Sequence, residues 1–189
     1  MTLPPLRLDA DGWVDGVDRL PSPNFDARPA GCAVDLLVLH NISLPPGEFG
    51  GGYIHRMFMN ALPRDRHPFL DQLAGARVSS HFLIERMGRI TQFVSCRDRA
   101  WHAGASVFRG RARCNDFSIG IELEGTDFTP FELAQYVALD RLVDALKRAC
   151  PIAHACGHSE IARGRKTDPG PCFDWARAPS LQQLRDPHA

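Results

Sequence analysis

Three stretches far apart in the chain carry side chains able to do chemistry together. GHSEIARGRKTDPGP (157–171) holds His158, Lys166 and Asp168 within eleven positions and closes on Pro-Gly-Pro. VDLLVLH (34–40) ends a branched apolar run on His40, and DFSIGIELEG (116–125) sets Glu122 and Glu124 among apolar neighbours. Two imidazoles and one carboxylate form a three-ligand set for zinc that leaves the fourth tetrahedral position to water. A carboxylate near that water is a natural general base for hydrolysis. A lysine beside the carboxylate ligand suits stabilisation of an oxyanion. If Lys-Thr-Asp is extended, Lys166 and Asp168 project to one side, roughly 6–7 Å apart. Each residue alone also has a plainer reading. The histidines fit a hydrogen-bonded core, Asp168 a turn-forming Asp-Pro, and Lys166 the solvated run RGRK. Glu122 and Glu124 fit the wet face of a strand.

The elements that must position these residues follow from periodicity. Residues 34–40 read as a buried strand ending at His40, followed by the Pro/Gly-rich loop NISLPPGEFGGG (41–52) and a helix near 53–60. Residues 78–85 and 89–95 read as a hairpin turning at Met87-Gly88. In 116–125, Phe117, Ile119, Ile121 and Leu123 alternate with Ser118, Gly120, Glu122 and Glu124, a period-two strand. Gly120 invites close approach by another group. A long helix is expected from Pro130, with Thr129 as N-cap and Glu132 as its capping-box acid. Its apolar stripe runs through Phe131, Ala134, Ala138, Leu142, Ala145 and Ala149, and Pro151 stops it. Residues 21–29 read as a loop. This order implies an α/β chain, a mixed central sheet flanked by helices.

Composition narrows the function. At 189 residues the chain suits one well-buried domain. Lys+Arg and Asp+Glu balance at 22 each, so no overall field draws nucleic acid or anionic lipid. No run approaches the ~18 apolar residues of a membrane span, and the N-terminus lacks the pattern of a signal peptide. The expectation is a cytoplasmic protein whose six scattered cysteines stay reduced. P-loop, G-x-S-x-G, dinucleotide and H-E-x-x-H signatures are absent.

VLHNISLPPGEFGG, ARVSSHFLIE, RAWHAGAS, GRARCNDFSIGIELEGTD and GHSEIARGRKTDPGP, in this order, closely resemble the zinc N-acetylmuramoyl-L-alanine amidases. Within them the match is to the cytoplasmic enzymes acting on 1,6-anhydro-muropeptides. It runs from about 12 to 175, and a single amidase domain over 1–189 is expected. The resemblance implies one zinc per chain held by His40, His158 and Asp168. It implies Glu122 as catalytic acid/base and Lys166 as stabiliser of the tetrahedral intermediate. It places Asn41, Arg77 and Arg113 against the muropeptide, the arginines on its carboxylates, with Trp101 and His102 of WHAG near the same groove. His81 is expected to pack or support. Some relatives use cysteine as third ligand, which brings Cys172 into view, but Asp168 lies in the motif itself. The implied reaction is hydrolysis of the lactyl–L-alanine amide without a covalent intermediate, by a monomer whose partner is a small-molecule anhydro-muropeptide. A muropeptide-binding module without activity is the competing reading, and the full set of ligands plus Glu122 and Lys166 opposes it.

Overall fold

Leu36–Ile42 is apolar at nearly every position because both of its faces are covered. The computed structural model describes residues 4–185, so His188 lies outside the described residues. Six strands form the main sheet: β1 (Asp18–Arg19), β2 (Leu36–Ile42), β3 (Phe82–Ile84), β4 (Ile90–Gln92), β5 (Ser118–Glu124) and β6 (His154–Gly157), in the spatial order β6-β2-β5-β3-β4-β1. β6, β2, β5 and β3 pair in parallel, β3 and β4 form the expected antiparallel hairpin, and β1 joins β4 in parallel. The sheet is therefore mixed. The helices are α1 (Tyr53–Phe58), α2 (Pro68–Gln72), α3 (Leu133–Ala149), α4 (His158–Ile161) and α5 (Pro179–Gln182).

One face of the sheet is largely apolar. Leu37, Leu39, Ile119, Ile121 and Leu123 meet Leu139, Leu142, Val143 and Leu146 of α3 in the largest core cluster. The other face is divided. Leu83 packs with Ile54, Met57 and Phe58 of α1 on one side, while Leu36 and Val38 pack with Phe108, Phe117 and Ile161 on the other. His40, Gly120 and Glu122 fall between these two clusters. The register of β2 with β5, which pairs Glu122 with His40 and Gly120 with Val38, puts them there.

Several boundaries differ from the periodicity reading. β2 runs two residues beyond His40, and α1 ends at Phe58. Phe25–Ala27, expected as loop, pairs antiparallel with Asp98–Ala100. The long helix starts at Leu133, not Pro130, and its N-cap is Glu132. Tertiary hydrogen bonds decide this. Gln135 is fully buried, its Oε1 accepts the Glu132 N–H at 3.0 Å, and its Nε2 donates to Ile84 O (3.1 Å) and Glu124 O (3.0 Å). Thr129 instead closes a turn in which Thr126 Oγ1 accepts its N–H. Ala149, placed in the apolar stripe, is exposed, and Leu139, Val143 and Leu146 do the burying.

Gln135→Leu keeps the volume but strands two buried carbonyls and the Glu132 N–H. Each orphaned group costs about 1–3 kcal/mol, so the variant should lose roughly 2–4 kcal/mol in urea unfolding. A loss under about 1 kcal/mol, the worth of one ordinary hydrogen bond, would show that the helix start does not depend on this contact.

Candidate active site

His40 projects from β2, His158 opens α4 directly after β6, and Asp168 sits in the loop beyond α4. Their ligand-type atoms converge. His40 Nδ1 and His158 Nδ1 are 3.0 Å apart, and Asp168 Oδ2 lies 2.9 Å from the first and 3.1 Å from the second. A tetrahedral zinc with ligand bonds of about 2.0–2.1 Å spaces its ligands by roughly 3.3 Å, so this near-equilateral triangle fits that ion. The donor chemistry fits too. His158 Nε2 lies 3.0 Å from Ala103 O and must donate to it, which leaves Nδ1 as a lone pair aimed into the triangle. A carboxylate and inward-facing imidazole lone pairs at this distance favour a cation between them.

The loop holding Asp168 is clamped. Ser159 N donates to Asp168 O at 2.9 Å, and Asn41 Nδ2 donates to Pro169 O at 3.1 Å and to Asp127 Oδ1 at 2.7 Å. Gly170 has a φ of +79° and lies against Asp127, where an added Cβ would come within 2.4 Å of Oδ1. The rigid exit suggested by Pro-Gly-Pro is thus held from β2 as well as by its own ring constraints.

Glu122 is buried, and its Oε2 has no hydrogen-bond partner among the described residues. It lines a cleft of about 390 Å³ together with His40, His158, Lys166 and Asp168. Burial, reinforced by the charge of Asp168 and only partly offset by Lys166, holds its carboxyl well above the usual carboxylate range. Burial lowers His40 to about 4, against the opposing pull of Asp168. Burial pushes Asp168 up, but its contacts with the His158 and His40 imidazoles outweigh it and hold the group below the usual range. The cleft therefore pairs an ionised ligand carboxylate with a second carboxyl disposed to take a proton.

Residues 30–171 match the family model of the N-acetylmuramoyl-L-alanine amidases. The chain belongs to that family. It is 53% identical over 168 residues to the 1,6-anhydro-N-acetylmuramyl-L-alanine amidase AmpD of Escherichia coli (strain K12), covering 88% of this chain and 92% of the relative. A crystal structure of a selenomethionine AmpD derivative matches with a TM-score of 0.89 at 52% identity, over 92% of this chain and 98% of that one. A complex of the E. coli amidase AmiD with anhydro-N-acetylmuramic acid-L-Ala-D-gamma-Glu-L-Lys matches with a TM-score of 0.59 at 29% identity, over 94% of this chain and 65% of that one.

The structure gathers most of the residues expected of such an amidase. Lys166 is exposed on the rim of the cleft. Lys-Thr-Asp is not paired as a strand, and the Lys166 and Asp168 side chains border the same space. Cys172 stands outside the triangle, which His40, His158 and Asp168 form alone among the described residues. Trp101 lines the cleft and donates through Nε1 to Asp26 Oδ1 at 3.1 Å. Asn41 is occupied in the clamp. Arg77 is exposed in an adjoining hollow with Met57 and Asn60, and Arg113 is exposed and paired with Asp116 at 3.1 Å. Neither arginine lines the cleft. Glu124 differs from Glu122: it accepts Gly50 N–H at 2.6 Å and Arg86 N–H at 3.2 Å, tying the 44–52 loop to the sheet. His55 meets Thr91 Oγ1 at 3.2 Å, His67 caps α2, and Arg109 lies by His154, so these three stay away from the triangle.

Periodicity missed the supports. Asp127 anchors Asn41. Asn115 Oδ1 accepts the N–H groups of His102 (3.3 Å) and Ala103 (2.8 Å). Arg28, in the segment read as loop, donates to the carbonyls of Asn115, Asp116 and Ser118. Polar residues beside a motif were the available signal for the side chains; the Ala103 carbonyl leaves none.

His81 is fully buried, accepts Gly120 N–H on Nδ1 at 3.0 Å, and reaches Asp98 O from Nε2 at 3.1 Å. Burial, aided by Arg28, lowers it from 6.5 to about 3. Between those values the unfolded chain carries the extra proton, so stability is full above 6.5 and falls as pH drops toward 3, by about 1.4 kcal/mol per unit. His81→Asn keeps an acceptor for Gly120 and should make this slope shallower by that amount in denaturant titrations of the metal-free protein. An unchanged slope would assign the acid sensitivity to other groups.

Proposed function

We propose that the chain is a zinc-dependent amidase that hydrolyses the lactyl–L-alanine amide of soluble 1,6-anhydro-N-acetylmuramyl peptides, in the recycling of cell-wall fragments. The observation that carries this reading is the His40–His158–Asp168 triangle in one cleft with the unpartnered Glu122. One zinc ion per chain, held by these three side chains, supplies Lewis acidity to the amide carbonyl and to water.

The chain's own residues do the rest. Glu122, as the carboxylate, takes a proton from the attacking water. It then returns the proton to the departing alanine nitrogen. The Lys166 ammonium, exposed on the rim, meets the negative charge that develops on the carbonyl oxygen. Trp101 offers an aromatic wall to the substrate, and Asn41 shapes the floor through its hold on the Asp168 loop. The exposed guanidiniums of Arg77 and Arg113 are available to the peptide's carboxylates. The ligand named for the AmiD complex, an anhydro-N-acetylmuramyl tripeptide, supports a small soluble muropeptide as substrate.

This reading extends to the surroundings of the enzyme. A monomer working in the cytoplasm on imported fragments, without nucleic acid or membrane, agrees with the balanced charge. It also agrees with the lack, among the described residues, of any helix long and apolar enough to cross a membrane. The amidase domain is taken to span the chain, with its core at about 12–175.

Glu122→Gln should keep zinc and lower turnover about 10²–10⁴-fold, the range for loss of a general base. Asp168→Ala should lose most of its zinc, since two imidazoles hold the ion poorly against water. Full zinc in Asp168→Ala, by elemental analysis, would remove Asp168 from the ligand set. Near-native turnover in Glu122→Gln would remove Glu122 from the chemistry. Substrate class is read from kcat/KM on a soluble anhydro-muropeptide against peptide release from polymeric murein. The soluble substrate should be far superior, and equal or faster cleavage of the polymer would overturn the recycling assignment.

A further inference from the structure

His102 lines the cleft, and both of its ring nitrogens are engaged inside the protein. Nδ1 lies 2.9 Å from His40 Nε2, and Nε2 lies 3.2 Å from Ser118 Oγ. The ring stands edge-on to His40 and is seated against Gly120, where an added Cβ would come within 2.5 Å of His102 Cγ. A strand position has therefore been reduced to glycine to admit this ring. His81, whose ring centroid is 5.8 Å away, does not compete for His102 because Gly120 N–H already occupies its Nδ1.

We propose that His102 is a positioning residue: it accepts the His40 Nε2–H, passes its own Nε2–H to Ser118, and so fixes His40 with its Nδ1 lone pair facing the metal. The inference rests on the zinc reading above. Proton placement along the chain allows two arrangements. If His102 carries its proton on Nδ1 and donates to His40 Nε2, the His40 proton must sit on Nδ1, where it blocks a ligand bond. In the other arrangement every donor points outward from the triangle, toward Ser118 Oγ. Metal binding selects the second. The next residue completes the pattern, since Ala103 O accepts the His158 Nε2–H. Two consecutive residues of Trp-His-Ala thereby orient both imidazole ligands from behind, and Asn115 holds both of their N–H groups.

The test compares His102→Leu, which removes the acceptor, with His102→Asn, whose Oδ1 can take the place of Nδ1. Zinc affinity of the full chain is measured by chelator competition, with His40→Ala as the ligand-loss control. His102→Leu should bind zinc about 10–100-fold more weakly, the range for losing a hydrogen-bond partner behind a ligand. His102→Asn should stay close to native. Native affinity in His102→Leu overturns the proposal, and so does equal weakening in both variants, which would make ring volume the cause. Thermal melting of the metal-free variants shows whether each is folded. Independently of any variant, nitrogen-15 imidazole spectra of the zinc-loaded native protein should show His102 protonated on Nε2 alone, and protonation on Nδ1 overturns the proposal. Failure of the native chain to bind zinc more tightly than His40→Ala would sink the zinc reading and this inference together. Tight native binding with an unaffected His102→Leu sinks only the inference.

Discussion

Parallel pairing of Leu36–Ile42 with Ser118–Glu124 is the constraint on which the site depends, because it sets Glu122 directly beside His40. Side chains alternate with a period of two, so a slip of one residue would send His40 and Glu122 to the face filled by the long helix. There they would meet Leu139, Leu142 and Leu146, with no partner for either polar group. The same slip would bring Leu39 and Leu123 into the cleft. Burial of two leucine-rich faces therefore enforces the register, and the chemistry inherits it. His158 follows without further design, since β6 pairs with β2 through Gly157 and Leu39 and then turns into α4 beside His40.

The polar groups are affordable in this position because the second face of the sheet carries two apolar clusters with a gap between them. Buried polar atoms demand partners, and nearly every one here has them. His81 and His102 sit behind the triangle with their nitrogens occupied, Ala103 serves His158, and Asn41 with Asp127 holds the Asp168 loop. Within the cleft itself, the convergent atoms of the triangle and one oxygen of Glu122 face the open side.

Much of this was legible in the sequence, for reasons that differ by residue. The alternation in 116–125 located β5, but it also suggested a wet polar face, whereas all seven residues of that strand are buried. The pattern was polar because that face holds the site. The run at 34–40 announced a strand covered on both sides. The start of the long helix was not legible, since Gln135 fixes it through carbonyls of two other strands. Thr129 and Pro130 offered a locally better cap that tertiary bonds overrode. The candidate ligand set was named through resemblance, because a histidine and an aspartate ten residues apart carry little information until a distant strand supplies His40. His102 lines the cleft, but its engagement with Ser118 and His40 was not legible, because those partners lie in other segments.

Glu122 and Glu124 show how one strand assigns opposite tasks to one residue type. They share a face and lie two positions apart, and both are buried. Glu124 receives two backbone N–H groups and becomes a fixed anion that secures the 44–52 loop. Glu122 receives none on Oε2, so water-poor surroundings and the neighbouring Asp168 raise its affinity for a proton. A cation in the triangle would offset the Asp168 charge and draw Glu122 back toward ionisation. The basicity of Glu122 would thus be set jointly by its missing partner and by occupancy of the triangle, whose His40 lies directly beside it in the sheet. On the zinc reading, acid–base readiness and metal loading become one coupled property of this cleft, and the hydrogen bonds behind His40 and His158 bear on both.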